Sequence, residues 1–244
     1  MKPLAIKITN LSKDFRIPAE KRRSLRQRFA SLKFKSNHHL LSALKNINLK
    51  IETGEWIGII GQNGSGKSTL LKLISDIYES TKGSLSIAGK VVPFLELGVG
   101  FNPELSASDN IYLNGTILGM TKKGIRKKFN SIVNFAEIKP FINMKLKNFS
   151  SGMKLRIGFA IAIQAPGDIY LLDEVLAVGD YRFQQKTKHA FNRLKKSNKT
   201  AVFVSHDLNQ IKQFCDRVIW LDKGRIVKSG HPSTVIKAYI KKNS

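Results

Sequence analysis

Four uninterrupted apolar runs punctuate the chain: WIGII at Trp56–Ile60, IYLL at 169–172, AVFVS at 201–205 and VIWLD at 218–222. Runs of this length read as strands buried on both faces, as in a parallel sheet covered by helices. LAIKITN (4–10) and INLKIE (Ile47–Glu52) alternate apolar with polar positions, which predicts half-buried strands. Thr53–Gly54 turns the second of these, and GSLSIAG (83–89) reads as a further short strand. Between 105 and 165 the period changes. Ile125, Phe129, Ile132, Val133 and Ala136 fall on one helical face, with Lys and Arg on the other. Alternating strands and helices predict an α/β core around a parallel sheet, with the 105–165 stretch inserted as helices.

The segment 16–40 interrupts the pattern and reads as an insertion. It carries eight basic residues against one acid, Glu20. Leu25, Phe29 and Leu32 recur at i, i+4 and i+7, which predicts a short basic amphipathic helix there. Charge changes the picture further. In 244 residues, Lys and Arg number 42 against 17 Asp and Glu, a net charge of +25. That excess favours anionic partners: nucleic acid, anionic lipid or phosphate ligands. The single cysteine, Cys215, excludes an intrachain disulfide and fits a reducing compartment. The start, MKPLAIKITN, has no signal-peptide apolar core, and no apolar run has the length of a membrane span.

Candidate chemistry sits where the apolar runs end. GQNGSGKST (Gly61–Thr69) matches G-x-x-x-x-G-K-[ST] directly after a predicted buried strand and before a predicted helix. Gly61, Gly64 and Gly66 let the backbone curl so that its N–H groups, with those of Asn63 and Ser65, surround a phosphate. Lys67 reaches the outer phosphates, Ser68 offers a hydroxyl to Mg²⁺, and Thr69 adds a phosphate contact. The second run closes in Asp173 and Glu174. Asp173 there suits Mg²⁺ held through water, and Glu174 a general base for the attacking water. The third run ends in Ser205 and His206, whose imidazole can orient that pair and reach a terminal phosphate. NFSSGMKLRIG places Ser150, Ser151 and Gly152 at the mouth of a basic helix, an N-terminus suited to an anion.

In order and spacing, GQNGSGKST, FSSGM, YLLDE and VSH resemble the nucleotide-binding subunit of ABC transporters, over essentially the whole chain. The resemblance implies a P-loop NTPase core (1–95 and 166–244), an N-terminal antiparallel β subdomain and a helical subdomain at 96–165. It makes FSSGM a degenerate signature loop, usually Leu-Ser-Gly-Gly-Gln. Ser150, Ser151 and Gly152 then face ATP held by a second copy, in a head-to-tail homodimer. Ser151 stands where the family has glycine, and a left-handed conformation there is costly for a side chain. Phe15 matches the aromatic that stacks on adenine, and Asp180 falls in the loop after the catalytic glutamate. No glutamine precedes the helical part between Ser80 and Ile111; Glu96 stands near that place. Gly98 and Gly100 predict a mobile loop facing the membrane subunit or the nucleotide.

DEVLAVGD (Asp173–Asp180) and LELGVGFNPELSASDNI (Leu95–Ile111) resemble the subunits that export O-antigen and related polysaccharides. That implies ATP and Mg²⁺, a permease in two copies, a lipid-linked polysaccharide as cargo, and a place on the cytoplasmic face of the inner membrane. The basic segment Arg22–Lys35 then has four alternatives: anionic headgroups, the permease surface, the lipid pyrophosphate of the substrate, or solvent. The chain leaves no room for a C-terminal glycan-reading domain, so glycan selection by this subunit is not expected. Teichoic-acid or capsule export is the alternative within the class. The chain lacks the long coiled coil, zinc site or duplicated core that nucleic-acid-associated ATPases of the same family carry, so no nucleic acid is expected. A nucleotide-binding regulator without turnover is disfavoured by Glu174 and His206.

Overall fold

The structure, a computed structural model, describes residues 2–18, 38–95, 97–174 and 179–243. Two sheets organise it. The larger has six strands in the order β5 (Val91–Pro93), β6 (Ile169–Asp173), β7 (Thr200–Val204), β3 (Trp56–Ile60), β8 (Arg217–Asp222) and β9 (Arg225–Gly230). All pairs in it are parallel except β8–β9. The smaller sheet is antiparallel, with β1 (Leu4–Pro18) between β2 (His38–Glu52) and β4 (Lys82–Ile87).

The continuous apolar runs are explained by a core on each face of the large sheet. On β3, Trp56 and Ile60 join one buried cluster while Ile57 and Ile59 join the other. The same alternation runs through β7, where Ala201 and Phe203 oppose Val202 and Val204, and through β6 and β8. One face packs against α1 (Lys67–Ile74) and the small sheet, through Leu70, Leu71, Ile6 and Ile51. The other packs against α2 (Ala107–Ile117), α3 (Lys122–Ala136), α4 (Ser151–Gln164), α5 (Tyr181–Lys196), α6 (Leu208–Phe214) and α7 (Pro232–Asn243). An aromatic chain holds that second face. Phe159 of α4 packs edge-on against Phe94 at 5.3 Å and Phe183 of α5 at 5.7 Å, and Phe191 lies 5.8 Å from Trp56. Burial of these aromatic side chains adds to the stability that the aliphatic residues of the same core supply.

Several expectations change in detail. The basic segment expected at 16–40 has both its ends in strand, because β1 runs to Pro18 and β2 starts at His38. Ladder pairs Phe15–Leu41 and Arg16–Leu40 extend the β1–β2 hairpin well past the alternating core of LAIKITN. Leu25, Phe29 and Leu32 lie outside the described residues, as does Glu96. The helical stretch 105–165 resolves into α2, α3 and α4 joined by short 3-10 turns at Lys139–Phe141 and Leu146–Asn148. The apolar face read on α3 is buried at Ile125, Ile132, Val133 and Ala136. Strands β5 and β9 went unread: the first has three residues, and the second carries an exposed, polar edge. Among the described residues no helix is long and apolar enough to cross a membrane.

Gly58 shows how tightly α6 approaches β3. A Cβ there would lie 2.8 Å from Ile211 Cγ2, 3.1 Å from Cys215 Sγ and 3.2 Å from Val218 Cγ2. Gly58→Ala is therefore expected to cost about 1–3 kcal/mol by overpacking. Urea unfolding checks this, and the double variant with Ile211→Ala should cost less than the sum of the two single changes.

Candidate functional site

Parallel pairing brings the candidate residues to one edge of the sheet. Ile59 of β3 pairs with Val204 of β7, and Val204 pairs with Asp173 of β6. Their carboxyl ends therefore level out side by side, where open α/β sheets gather their ligands. From β3 the chain enters the glycine loop and then α1. Gly66, at φ 107°, precedes that helix, and a Cβ on it would meet the Ala43 carbonyl at 2.7 Å. Gly61 is tighter still, since a Cβ would lie 2.2 Å from the Leu221 carbonyl. These two glycines are required by close backbone approach; Gly64 is required by its φ of 76° alone, with open space above it.

A cavity of about 510 Å³ forms over this loop. Asn63, Gly64, Gly66, Lys67, Ser68 and Thr69 line its base; Asp173, Glu174 and His206 line one side and Phe15 another. Gly61 and Ser65 lie beneath, buried. Among the described residues, the Ser65 hydroxyl is a buried polar group without a hydrogen-bond partner. Such an orphan costs on the order of 1–3 kcal/mol. Lys67 Nζ donates to the carbonyls of Gly61 at 2.8 Å and Gln62 at 3.0 Å. Burial holds its ammonium below the usual lysine range, against the pull of Asp173 and Glu174. Burial also pushes the Asp173 carboxyl up, and the like charge of Glu174 adds to the effect while Lys67 and His206 oppose it. Glu174 adopts φ 51°, a left-handed conformation uncommon for a side chain, with its N–H donating to the Val204 carbonyl at 3.0 Å. In that pose Oε1 lies 3.0 Å from His206 Nε2.

Ser150, Ser151 and Gly152 stand apart; none of them lines this cavity. Ser150 caps α4, its hydroxyl accepting from the Met153 N–H at 3.2 Å. Ser151 is the first helical residue and has no positive φ, so the feared left-handed strain does not arise. Gly152 also has no positive φ, and a Cβ there would meet only Ser150 Oγ, at 3.9 Å. Among the described residues nothing requires glycine at that place. Asp180 caps α5 through Phe183 N–H at 2.9 Å and pairs with Arg156 of α4 at 2.8 Å. Arg156 also pairs with Glu137, at 3.0 Å. The turn holding Gly98 and Gly100 lines a separate small apolar cavity with Ile117 and Leu118, away from the glycine loop.

Supporting residues that the sequence pattern did not reveal come from distant segments. The Gly224 N–H in the β8–β9 turn donates to the Ser65 carbonyl at 3.0 Å, and Lys45 N–H donates to the Gly224 carbonyl at 2.8 Å. Gln62 Nε2 donates to Asn243 Oδ1 at 2.7 Å, so the end of α7 braces the glycine loop. Tyr78 meets Phe15 edge-on at 5.4 Å, and Lys13 Nζ sits 5.1 Å over the Phe15 ring. Only the glycine turn Lys223–Gly224 carried a local signal.

The model of the ABC transporter family matches residues 44–177. An O-antigen export system ATP-binding protein of Myxococcus xanthus is 44% identical over 82% of this chain, which spans 46% of that protein. One of the same name from Klebsiella pneumoniae is 40% identical over 81% of this chain and 80% of its own length. A teichoic acids export ATP-binding protein of Shouchella clausii is 38% identical over 95% of this chain and 64% of its own. Among solved structures, a dimeric ATP-binding cassette bound to ADP and Pi superposes with a TM-score of 0.74 and 25% identity, over 93% of this chain and 98% of that one. The chain belongs to the ABC transporter family, among its ATP-hydrolysing subunits.

Proposed function

We propose that the chain drives export of a lipid-linked cell-surface polysaccharide of the O-antigen type through a separate membrane permease, and that two copies close head to tail over two ATP molecules. The observation that carries this reading is Gly152: a half-buried glycine in the first turn of a capped helix, with no described residue of its own chain close enough to require it. The relatives named for O-antigen export support the cargo, and the dimeric cassette supports the pairing. The subunit works at the cytoplasmic face of the inner membrane, docked on two copies of the permease.

ATP sits with adenine against Phe15 and its phosphates in the loop from Gly61 to Thr69. Lys67 exchanges the Gly61 and Gln62 carbonyls for the β- and γ-phosphates. The residues present fit Mg²⁺: the Ser68 hydroxyl and the Asp173 carboxylate are hard oxygen donors beside the loop. Bound there, Mg²⁺ neutralises charge on the β- and γ-phosphates. Glu174 takes the proton of the attacking water, and His206 holds Glu174 in place while reaching the γ-phosphate. Ser150 and the α4 N-terminus of the second copy close on that same phosphate. Positioning and electrostatic stabilisation supply the rate, as in phosphoryl transfer generally.

The second reading is export of a teichoic acid, favoured by the longer match of that relative, 95% of this chain against 81%. Replacing the resident subunit of an O-antigen or a teichoic acid exporter with this chain, and measuring which polymer reaches the surface, separates the two.

Glu174→Gln should lower ATP turnover by about 10²–10⁴ while ATP still binds. Light scattering with Mg-ATP should then find it as a dimer, and a variant that hydrolyses like the parent ends the general-base role.

Gly152→Val should leave the melting temperature of the isolated chain near that of the parent, since the space above it is open. The same variant should lose ATP-driven dimerisation and turnover while single-copy ATP binding persists; unchanged turnover would sink the head-to-tail reading.

Asp173 has a raised pKa in the fold, so its ionised form opposes folding. Its favourable contribution is present below the unfolded carboxylate range and disappears as pH rises through the raised value. Asp173→Asn should therefore raise the melting temperature of the nucleotide-free protein at neutral pH, with the gain shrinking in acid, and should abolish turnover. Calorimetry across pH 4–7 (roughly the span between carboxylate and neutral titration) checks the sign.

A further inference from the structure

A second cavity, of about 1080 Å³, opens between α3 and α5 and shares no lining residue with the nucleotide pocket. On its α5 wall lie Lys186, His189, Arg193 and Lys196, at spacings of three, four and three residues. That spacing puts them on one helical face, over about 15 Å of axis. The α3 wall contributes Ser131, Asn134 and Phe135. At the floor, Gln164 Nε2 donates to Ser131 Oγ at 2.8 Å, and Lys128 Nζ donates to the Gln164 carbonyl, closing the end of α4.

The side chains of this wall are unequally committed. Lys186 pairs with Glu137, the only acid that meets this wall among the described residues. Arg193, Lys196 and His189 have no ion pair or side-chain hydrogen bond among the described residues, and all three are exposed. Aligned cations that repel one another without an acid between them are destabilising on a helix. The facing wall adds neutral donors, the Asn134 amide and Ser131 hydroxyl, and no carboxylate. Two walls with donors on both sides suit a compact anion better than a flat surface, and Arg193 supplies a guanidinium fork for phosphate oxygens.

We propose that this cleft binds an anion bearing two or more linked phosphates, held by Arg193 and Lys196 with Lys186. The phosphates come either from a free polyphosphate or from a lipid diphosphate headgroup; the cleft chemistry is the same for both. Bound phosphate draws on the Lys186 ammonium and so competes with Glu137. Glu137 in turn pairs with Arg156, which pairs with Asp180 at the start of α5. Occupancy is thus felt at the helix that carries Ser150.

The test uses the full chain with its glycine loop filled by excess Mg-ADP, so that the loop cannot take the probe. Titration calorimetry with inorganic tripolyphosphate should find one further site per chain, weakening as salt rises. Arg193→Ala with Lys196→Ala should weaken it at least about tenfold, leaving ADP affinity unchanged and the melting temperature no lower than that of the parent. A second arm uses vesicles containing an undecaprenyl diphosphate lipid against neutral vesicles. Binding that depends on Arg193 and Lys196 and is displaced by tripolyphosphate assigns the phosphates to a lipid. Tripolyphosphate binding without vesicle binding assigns a free anion. No tripolyphosphate binding under saturating ADP, or binding equal in the double variant, overturns the proposal.

Discussion

The parallel register of three strands is the constraint on which the site depends. Because Ile59, Val204 and Asp173 pair in line, the loop after β3, the acids after β6 and the imidazole after β7 meet at one edge. A slip of one residue along β6 would turn Asp173 to the opposite face. The register is held by burial: every residue of β3 and β7 is inaccessible, and alternate side chains commit to separate cores. The hydrophobic pattern that makes the sheet also aims its chemistry.

That arrangement is held against local penalties. Lys67 and Asp173 are both desolvated, and each is displaced from its ordinary titration in the direction that disfavours its charge. Glu174 stands in a left-handed conformation, and the Ser65 hydroxyl has no partner among the described residues. Each feature is unfavourable in the free chain. Sites carrying function commonly hold strain that the surrounding core over-determines. Here the over-determining parts are remote in sequence: the Gly224 turn under the Ser65 carbonyl and Asn243 against Gln62.

The division between what the chain's pattern reveals and what it hides follows from range. Apolar runs disclosed β3, β6, β7 and β8 because both faces are buried, and the glycine loop was legible because its spacing is local. Strand β5 escaped because three residues carry no period, and β9 because an exposed edge strand such as RIVKSG has no buried stripe. Phe15 could be singled out by position, but not its edge-on neighbour Tyr78, which arrives from 63 residues along the chain. Ser151 illustrates the opposite error. A substitution that looks costly against a glycine pattern is harmless where the backbone is simply helical. The basic run was legible as charge, yet its ends belong to a hairpin ladder that no local pattern could announce.

The helix bearing Ser150 is not free to move alone. Phe159, nine residues into it, packs against Phe94 beside the sheet and Phe183 of α5. Arg156, one turn earlier, ties Glu137 at the end of α3 to Asp180 at the start of α5. These ion pairs are partly exposed, so individually they contribute little; the aromatic contacts below them are buried and supply the stiffness. The charged chain therefore adds orientation to packing whose strength lies in the phenylalanines. Asp180 follows Glu174 by six residues, so Arg156 pairs with a carboxylate close along the chain to the candidate base. One arginine on α4 thus joins the end of α3 to the start of α5, and the buried phenylalanines beneath it fix the spacing that it spans.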